Sequence, residues 1–69
     1  MNFYFTATPP SLVNQTVNTL TSHGHTIVGQ PHGPYTDVSL LRTDPSLGPQ
    51  LLAGVGATPT GWIIVVSQV

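Results

Sequence analysis

The chain has 69 residues, no cysteine, and charged side chains at only three positions, Asp37, Arg42 and Asp44. Ordinary soluble domains are about 25% charged, so this surface must consist mainly of uncharged polar side chains and backbone. A single arginine cannot neutralise a run of phosphates, which excludes electrostatically driven binding to nucleic acid or to anionic membranes. The absence of cysteine excludes disulfides and thiolate metal sites.

The length allows one domain, residues 1–69, at a size where a single core barely outweighs chain entropy. The apolar run 62–66 is far shorter than the roughly 20 residues of a membrane span, and no signal-peptide pattern opens the chain. We therefore expect no membrane partner, and a place in the cytoplasm or in a virion. Because the net charge is only −1, little repulsion separates copies, which favours a homo-oligomer.

The first 24 residues predict a strand followed by a helix. Residues 2–8 alternate between two faces, as a strand with one buried side does, and two prolines end the run. Ser11 is placed as a helix N-cap, and the apolar residues behind it recur at spacings of three and four up to Leu20. Gly24 is placed to cap this helix at its C-terminus.

The middle of the chain predicts a hairpin and a second helix. Short strands over residues 25–29 and 35–41 flank a loop rich in glycine and proline, which favours antiparallel pairing. Asp44 resembles an N-cap followed by proline, and one or two helical turns follow, beginning nearer Pro49. Residues 54–61 form a connector, and residues 62–69 are the strongest strand candidate in the sequence.

The predicted order is β-α-β-β-α-β. It favours an α+β fold with a four-stranded, mainly antiparallel sheet and both helices on one face, the ferredoxin-like plan. A small three-layer or parallel α/β arrangement is the alternative. The core expected of the first plan comprises Phe3, Phe5, Leu12, Val13, Val17, Leu20, Ile27, Val38, Leu40, Leu51, Ile63 and Val65.

The last strand predicts an interface. If Ile63 and Val65 face the helices, then Trp62, Ile64 and Val66 point to the opposite face, which a two-layer fold leaves open to water. Exposed apolar stripes usually mark interaction sites. We therefore expect self-association through Trp62, Ile64 and Val66, with Tyr4 beside them.

Two polar groups of residues are further site candidates. His23, His25 and His32 have a spacing that some zinc sites use, although a histidine at a helix end also has a purely local role. Asp37, Arg42 and Asp44 form either a structural group, with Asp44 capping and Arg42 pairing one aspartate, or a polar anchor for a partner.

The function favoured by these features is a non-catalytic protein-interaction or self-assembly module, such as a virion or complex component or an inhibitor-type binder. No nucleophile elbow or paired-carboxylate pattern supports catalysis, so no catalytic residue and no cofactor are predicted. The alternative is a small-ligand or histidine-metal-binding module with a site at a subunit interface.

Overall fold

A computed structural model describes residues 2–56 and 59–69 of the chain. Its helices and strands are β1 (Phe3–Thr8), α1 (Val13–Ser22), β2 (Thr26–Ile27), α2 (Val38–Arg42), α3 (Pro49–Gly54) and β3 (Ile63–Gln68). The 3₁₀ turns Pro10–Leu12 and Pro45–Leu47 precede α1 and α3. Part of the predicted connector, residues 57 and 58, lies outside the described residues.

The protein is a small α+β domain whose sheet has three strands, in the order β1-β3-β2, with antiparallel pairing throughout. The prediction of a four-stranded sheet is therefore wrong. Beyond β2, the chain loops out and meets β3 once more, where His32 and Ile64 exchange backbone hydrogen bonds of 2.8 Å. Residues 35–41, predicted as a strand, contain Tyr35 and most of α2 instead.

The side chain of Asp37 explains why a helix forms where alternation predicted a strand. Its Oδ1 accepts a hydrogen bond of 3.1 Å from the backbone N–H of Leu40 and another from the Ser39 hydroxyl. Such an N-cap satisfies a backbone donor that the first helical turn leaves unpaired. Helical spacing then buries Leu41 completely and leaves Leu40 exposed.

Both faces of the sheet are covered, and this corrects the predicted layering. Ile64 and Val66 pack with Tyr35, Leu41, Leu47 and Val55 on one side, the core face. Residues 63, 65 and 67 point to the opposite side, the α1 face, because neighbouring strand residues alternate, and α1 packs there against β2 and β3. The segment 35–55 supplies a second covering layer because its helices are only five and six residues long.

The predicted exposed stripe is accordingly wrong for two of its members. Ile64 is 1% exposed and Val66 is 2% exposed, so both belong to the core. Trp62 is half-buried, and its carbonyl accepts a hydrogen bond from the backbone of Tyr35. Tyr4 is exposed, but on the α1 face, since it pairs with Ser67.

The predicted core is confirmed in part. Val65 is fully buried, and Phe5 and Leu51 pack against the central cluster. Phe3, Leu12 and Leu40 are instead 43%, 44% and 51% exposed. The central cluster consists of Tyr35, Leu41, Leu47, Val55, Ile64 and Val66.

The two ends of α1 differ in how well they were predicted. Ser11 lies inside a 3₁₀ turn, and the helix begins after Leu12 without a side-chain cap, so the predicted cap is wrong. Gly24 is confirmed as the C-terminal cap, with φ of +89°. The backbone N–H of His25 donates to the carbonyl of Leu20 at 3.0 Å, and that of Gly24 donates to Thr21 at 3.1 Å, the pair of bonds that defines a Schellman motif.

Candidate functional site

The three histidines do not meet. His25 contacts Ser67 on the α1 face, whereas His32 pairs with Ile64 and so lies on the core face. His23 follows the last turn of α1 and is exposed. Within residues 2–56 and 59–69, no three His, Asp or Glu side chains are grouped to hold a metal ion. The predicted metal site at His23, His25 and His32 is therefore not assembled.

His25 belongs to a small group on the α1 face. Its Nδ1 lies 2.9 Å from the Oγ of Ser67, a side chain with no exposed surface. Its ring also meets that of Tyr4 edge-to-face, with centroids 5.4 Å apart. A hydroxyl with no access to water needs such a partner, so this histidine ties the start of β2 to the last strand.

His32 belongs to a second group, the Asp44 cluster, formed by His32, Tyr35, Asp44 and Ser46. The Tyr35 hydroxyl donates to Oδ2 of Asp44 at 2.6 Å, and the Ser46 hydroxyl donates to Oδ1 at 2.5 Å. The Oγ of Ser46 also lies 3.1 Å from Nδ1 of His32. The cluster therefore joins the segment after β2, which bridges to β3 at His32, to the 3₁₀ turn that Asp44 caps by accepting from the backbone N–H of Ser46.

The direction of these bonds shows what the Asp44 cluster can do chemically. An ionised carboxylate only accepts, so the single Ser46 proton is committed to Asp44, and His32 must donate through Nδ1. A serine nucleophile needs the reverse arrangement, in which an imidazole accepts the hydroxyl proton. The cluster is thus arranged to fix the turn after α2.

The pKa shifts in this region follow from the same bonds. Hydrogen bonds from Ser46 and then Tyr35 lower the pKa of Asp44, and the bonds from Ser39 and Leu40 lower that of Asp37. Burial, followed by the hydrogen bond to Asp44, raises the pKa of Tyr35. A carboxylate whose pKa is lowered is a weak base, as expected for a carboxylate that caps a helix.

Arg42 takes no part in the hydrogen bonds of Asp37 or Asp44. No described residue forms an ion pair with its guanidinium, so the predicted pairing with Asp37 or Asp44 is wrong, whereas the predicted capping by Asp44 is confirmed. Arg42 lines a cleft of 560 Å³ with Thr43, Pro49, Leu52, Ala53 and Val55. Asp37 and Asp44 cap successive turns, and the polar anchor for a partner stays a prediction.

The outer edge of β1 carries unpaired backbone groups. Ile64 and Val66 direct backbone groups toward residues 28–32. Because backbone groups alternate in direction along a strand, residues 63, 65 and 67 must bond to β1, through their partners Thr8, Thr6 and Tyr4. The N–H and C=O groups of Phe3, Phe5 and Ala7 therefore point away from the sheet. We call these groups the free edge, and no described residue bonds to them.

Two clefts flank the free edge, one on each face of the sheet. The Phe3 cleft, of 460 Å³, is lined by Phe3, Leu47, Gly48, Pro49, Gln50 and Leu51. The Thr6 cleft, of 230 Å³, is lined by Thr6, Leu12, Gln15, Thr16, Thr19 and Leu20. Neither is lined by a residue of β2 or β3, so both open on the β1 side of the domain. Three of the most exposed large apolar side chains, Phe3, Tyr4 and Leu12, lie in this region.

Sequence reasoning missed Tyr35, Ser46 and Ser67 as members of polar groups. A signal for the first two was present, because an aspartate followed by proline and serine is a common turn in which the carboxylate gathers donors. No signal pointed to Ser67, whose partner His25 is 42 positions away in the chain.

Comparison with models of protein families, with curated proteins and with solved structures finds no match to this chain. Among its described helices, none combines the length and the apolar character needed to cross a membrane.

Proposed function

We propose that this chain is a small non-catalytic protein-interaction module whose binding surface is the β1 side of the domain. The observation that carries the proposal is the combination of unpaired strand backbone with exposed apolar side chains on both sides of it. Phe3 and Tyr4 are each 43% exposed and Leu12 is 44% exposed. Apolar side chains grouped on a surface usually mark an interface.

The polar groups support this proposal because their bonds already have structural uses. His25 holds Ser67, Asp37 caps α2, and the Asp44 cluster fixes the turn before α3. Recognition must then rest on apolar contact and backbone hydrogen bonds. A ligand- or metal-binding function has less support, since the histidines lie on different faces of the sheet.

A photo-crosslinking amino acid tests the proposal. Benzoylphenylalanine replaces Phe3 in one variant and Leu40 in a control, since Leu40 is 51% exposed but lies on α2. Each variant is irradiated in pure form and in extract of the cells that produce the chain, and adducts are identified by mass spectrometry.

We expect a protein adduct at the Phe3 position that excess unmodified chain suppresses, and little at the Leu40 position. The proposal fails if the Phe3 position yields no adduct in either setting, or if both positions label equally. The adduct in pure protein and the adduct in extract separate self-association from binding to another protein.

A further inference from the structure

We infer that the free edge binds the free edge of a second copy, so that two β1 strands pair antiparallel and the two sheets become one. This inference rests on the proposed function, and it names the partner and the geometry. Strand addition to an open sheet edge is a common recognition mode in which backbone hydrogen bonds supply affinity. Three features indicate that the added strand is the β1 strand of a second copy: the register of the pairing, the low charge and the sizes of the facing side chains.

The register follows from which groups point outward. A two-fold axis perpendicular to the sheet keeps each face continuous, so that residues lying opposite each other must share a face. With the axis at Phe5, Phe5 lies opposite its own copy, and Phe3 lies opposite Ala7 of the second copy. Every outward N–H and C=O of the free edge then has a partner. With the axis at Thr6 instead, Phe5 lies opposite Ala7, and Phe3 lies opposite Pro9, which has no N–H, so the outward C=O of Phe3 is left without a partner.

The low charge of the strand and of the whole chain permits this pairing. Edge strands of monomeric proteins usually carry a lysine, a proline or a bulge that blocks addition. β1 contains none of these between Phe3 and Thr8, and the whole chain has a net charge of −1. Two copies therefore meet without like charges at the strand.

Size also fits. On either side of the central pair of Phe5 side chains, the opposed pairs join a large residue to a small one, Phe3 to Ala7 on the core face and Tyr4 to Thr6 on the α1 face. A strand of six residues is about 20 Å long, which by itself gives less than the roughly 800 Å² that each partner buries in a standard interface. The Phe3 cleft and the Thr6 cleft adjoin the edge on the two faces, so the side chains of the second strand have apolar surface to cover.

Amide hydrogen exchange of the unmodified protein tests the inference without altering the fold. The N–H groups of Tyr4, Thr6 and Thr8 bond within the sheet, whereas those of Phe3, Phe5 and Ala7 bond only in the dimer. Raising the concentration should double the mass in sedimentation and slow exchange at Phe3, Phe5 and Ala7, while the other three amides change little. A dimer whose Phe3, Phe5 and Ala7 amides exchange as fast as in the monomer overturns the inference.

A charge exchange supplies the second test. In the double variants Tyr4→Lys/Thr6→Lys and Tyr4→Glu/Thr6→Glu, each introduced charge faces a like charge of the second copy. Each variant alone should be monomeric, and an equal mixture should restore the dimer mass in a salt-sensitive manner. The same charges at Asn14 and Asn18, which are exposed on α1, should leave the parent dimer unchanged. Thermal melts establish that every variant is folded.

The outcomes separate this inference from the function on which it rests. Mixing that fails to restore a dimer, or a parent chain that stays monomeric at all concentrations, overturns strand pairing between copies. If crosslinking at Phe3 then captures a different protein, the interaction module stands with another partner. If Phe3 captures nothing, the proposed function falls as well.

Discussion

Truncating two neighbouring leucines in α2, one at a time, distinguishes the core seen in the structure from the core that sequence alternation predicts. Leu41 has no exposed surface and lies in the central cluster, whereas Leu40 is 51% exposed. A strand over residues 35–41 places these side chains on opposite faces, with Leu40 inside. The pair Leu41→Ala and Leu40→Ala therefore tests the register of this segment with the same chemical change at adjacent positions.

The expected costs differ several-fold. Removing a fully buried leucine side chain costs about 2.7–5 kcal/mol. A domain of this length has a free energy of unfolding of about 3.5–10 kcal/mol, at 0.05–0.15 kcal/mol per residue. Leu41→Ala should therefore remove a large part of the stability and lower Tm by more than about 10 °C. Leu40→Ala should cost about 1 kcal/mol or less, because half of its surface already meets water.

Urea denaturation followed by Trp62 fluorescence and by far-UV circular dichroism measures both costs. The midpoint of Leu41→Ala should fall far below that of the parent, with the slope of free energy against urea unchanged. If Leu40→Ala costs as much as Leu41→Ala, or more, then Leu40 faces the core. That result would refute the assignment of residues 38–42 to a capped helix.

Three further predictions concern the backbone and pH. Gly33 has φ of +122°, and a Cβ there would lie 3.1 Å from the Trp62 carbonyl oxygen, so Gly33→Ala should destabilise by more than about 1 kcal/mol. In contrast, Gly54→Ala in α3 should stabilise the protein by about 0.5–1 kcal/mol. Equal melting temperatures for the two variants would contradict this pair of predictions. The pKa of Asp44 is lowered from its ordinary 3.8, so its contribution to stability is complete above that value and is lost as pH falls through the lower folded pKa. Asp44→Asn keeps one capping oxygen but loses the second carboxylate acceptor, so it should lower the stability near neutral pH and flatten the acid limb of a plot of Tm against pH. The pKa of Tyr35 is raised from 10.0, so stability should decline as pH rises above that value. Tyr35→Phe should weaken this decline, and an identical alkaline limb in Tyr35→Phe would argue against the bond to Asp44.

The sequence determined the local features of this protein whose causes lie within a few residues. Period-two alternation identified β1 and β3, and the spacing of apolar residues identified α1. The glycine at the end of α1 and the Asp44 carboxylate before Pro45 are caps whose bonds span fewer than about six positions, so their residue types were sufficient evidence.

The tertiary structure alone decided the layering, and with it the site. Alternation over residues 35–41 competed with the Asp37 cap, and the segment folded as a short helix that buries Leu41 against Ile64. That choice covered the second face of β3 and buried Val66, which a two-layer fold would expose. It also decided that β3 lies in the centre of the sheet and that β1 keeps an unpaired edge. Strand order depends on contacts between residues far apart in the chain, where a local pattern carries no information about which partner a strand will find.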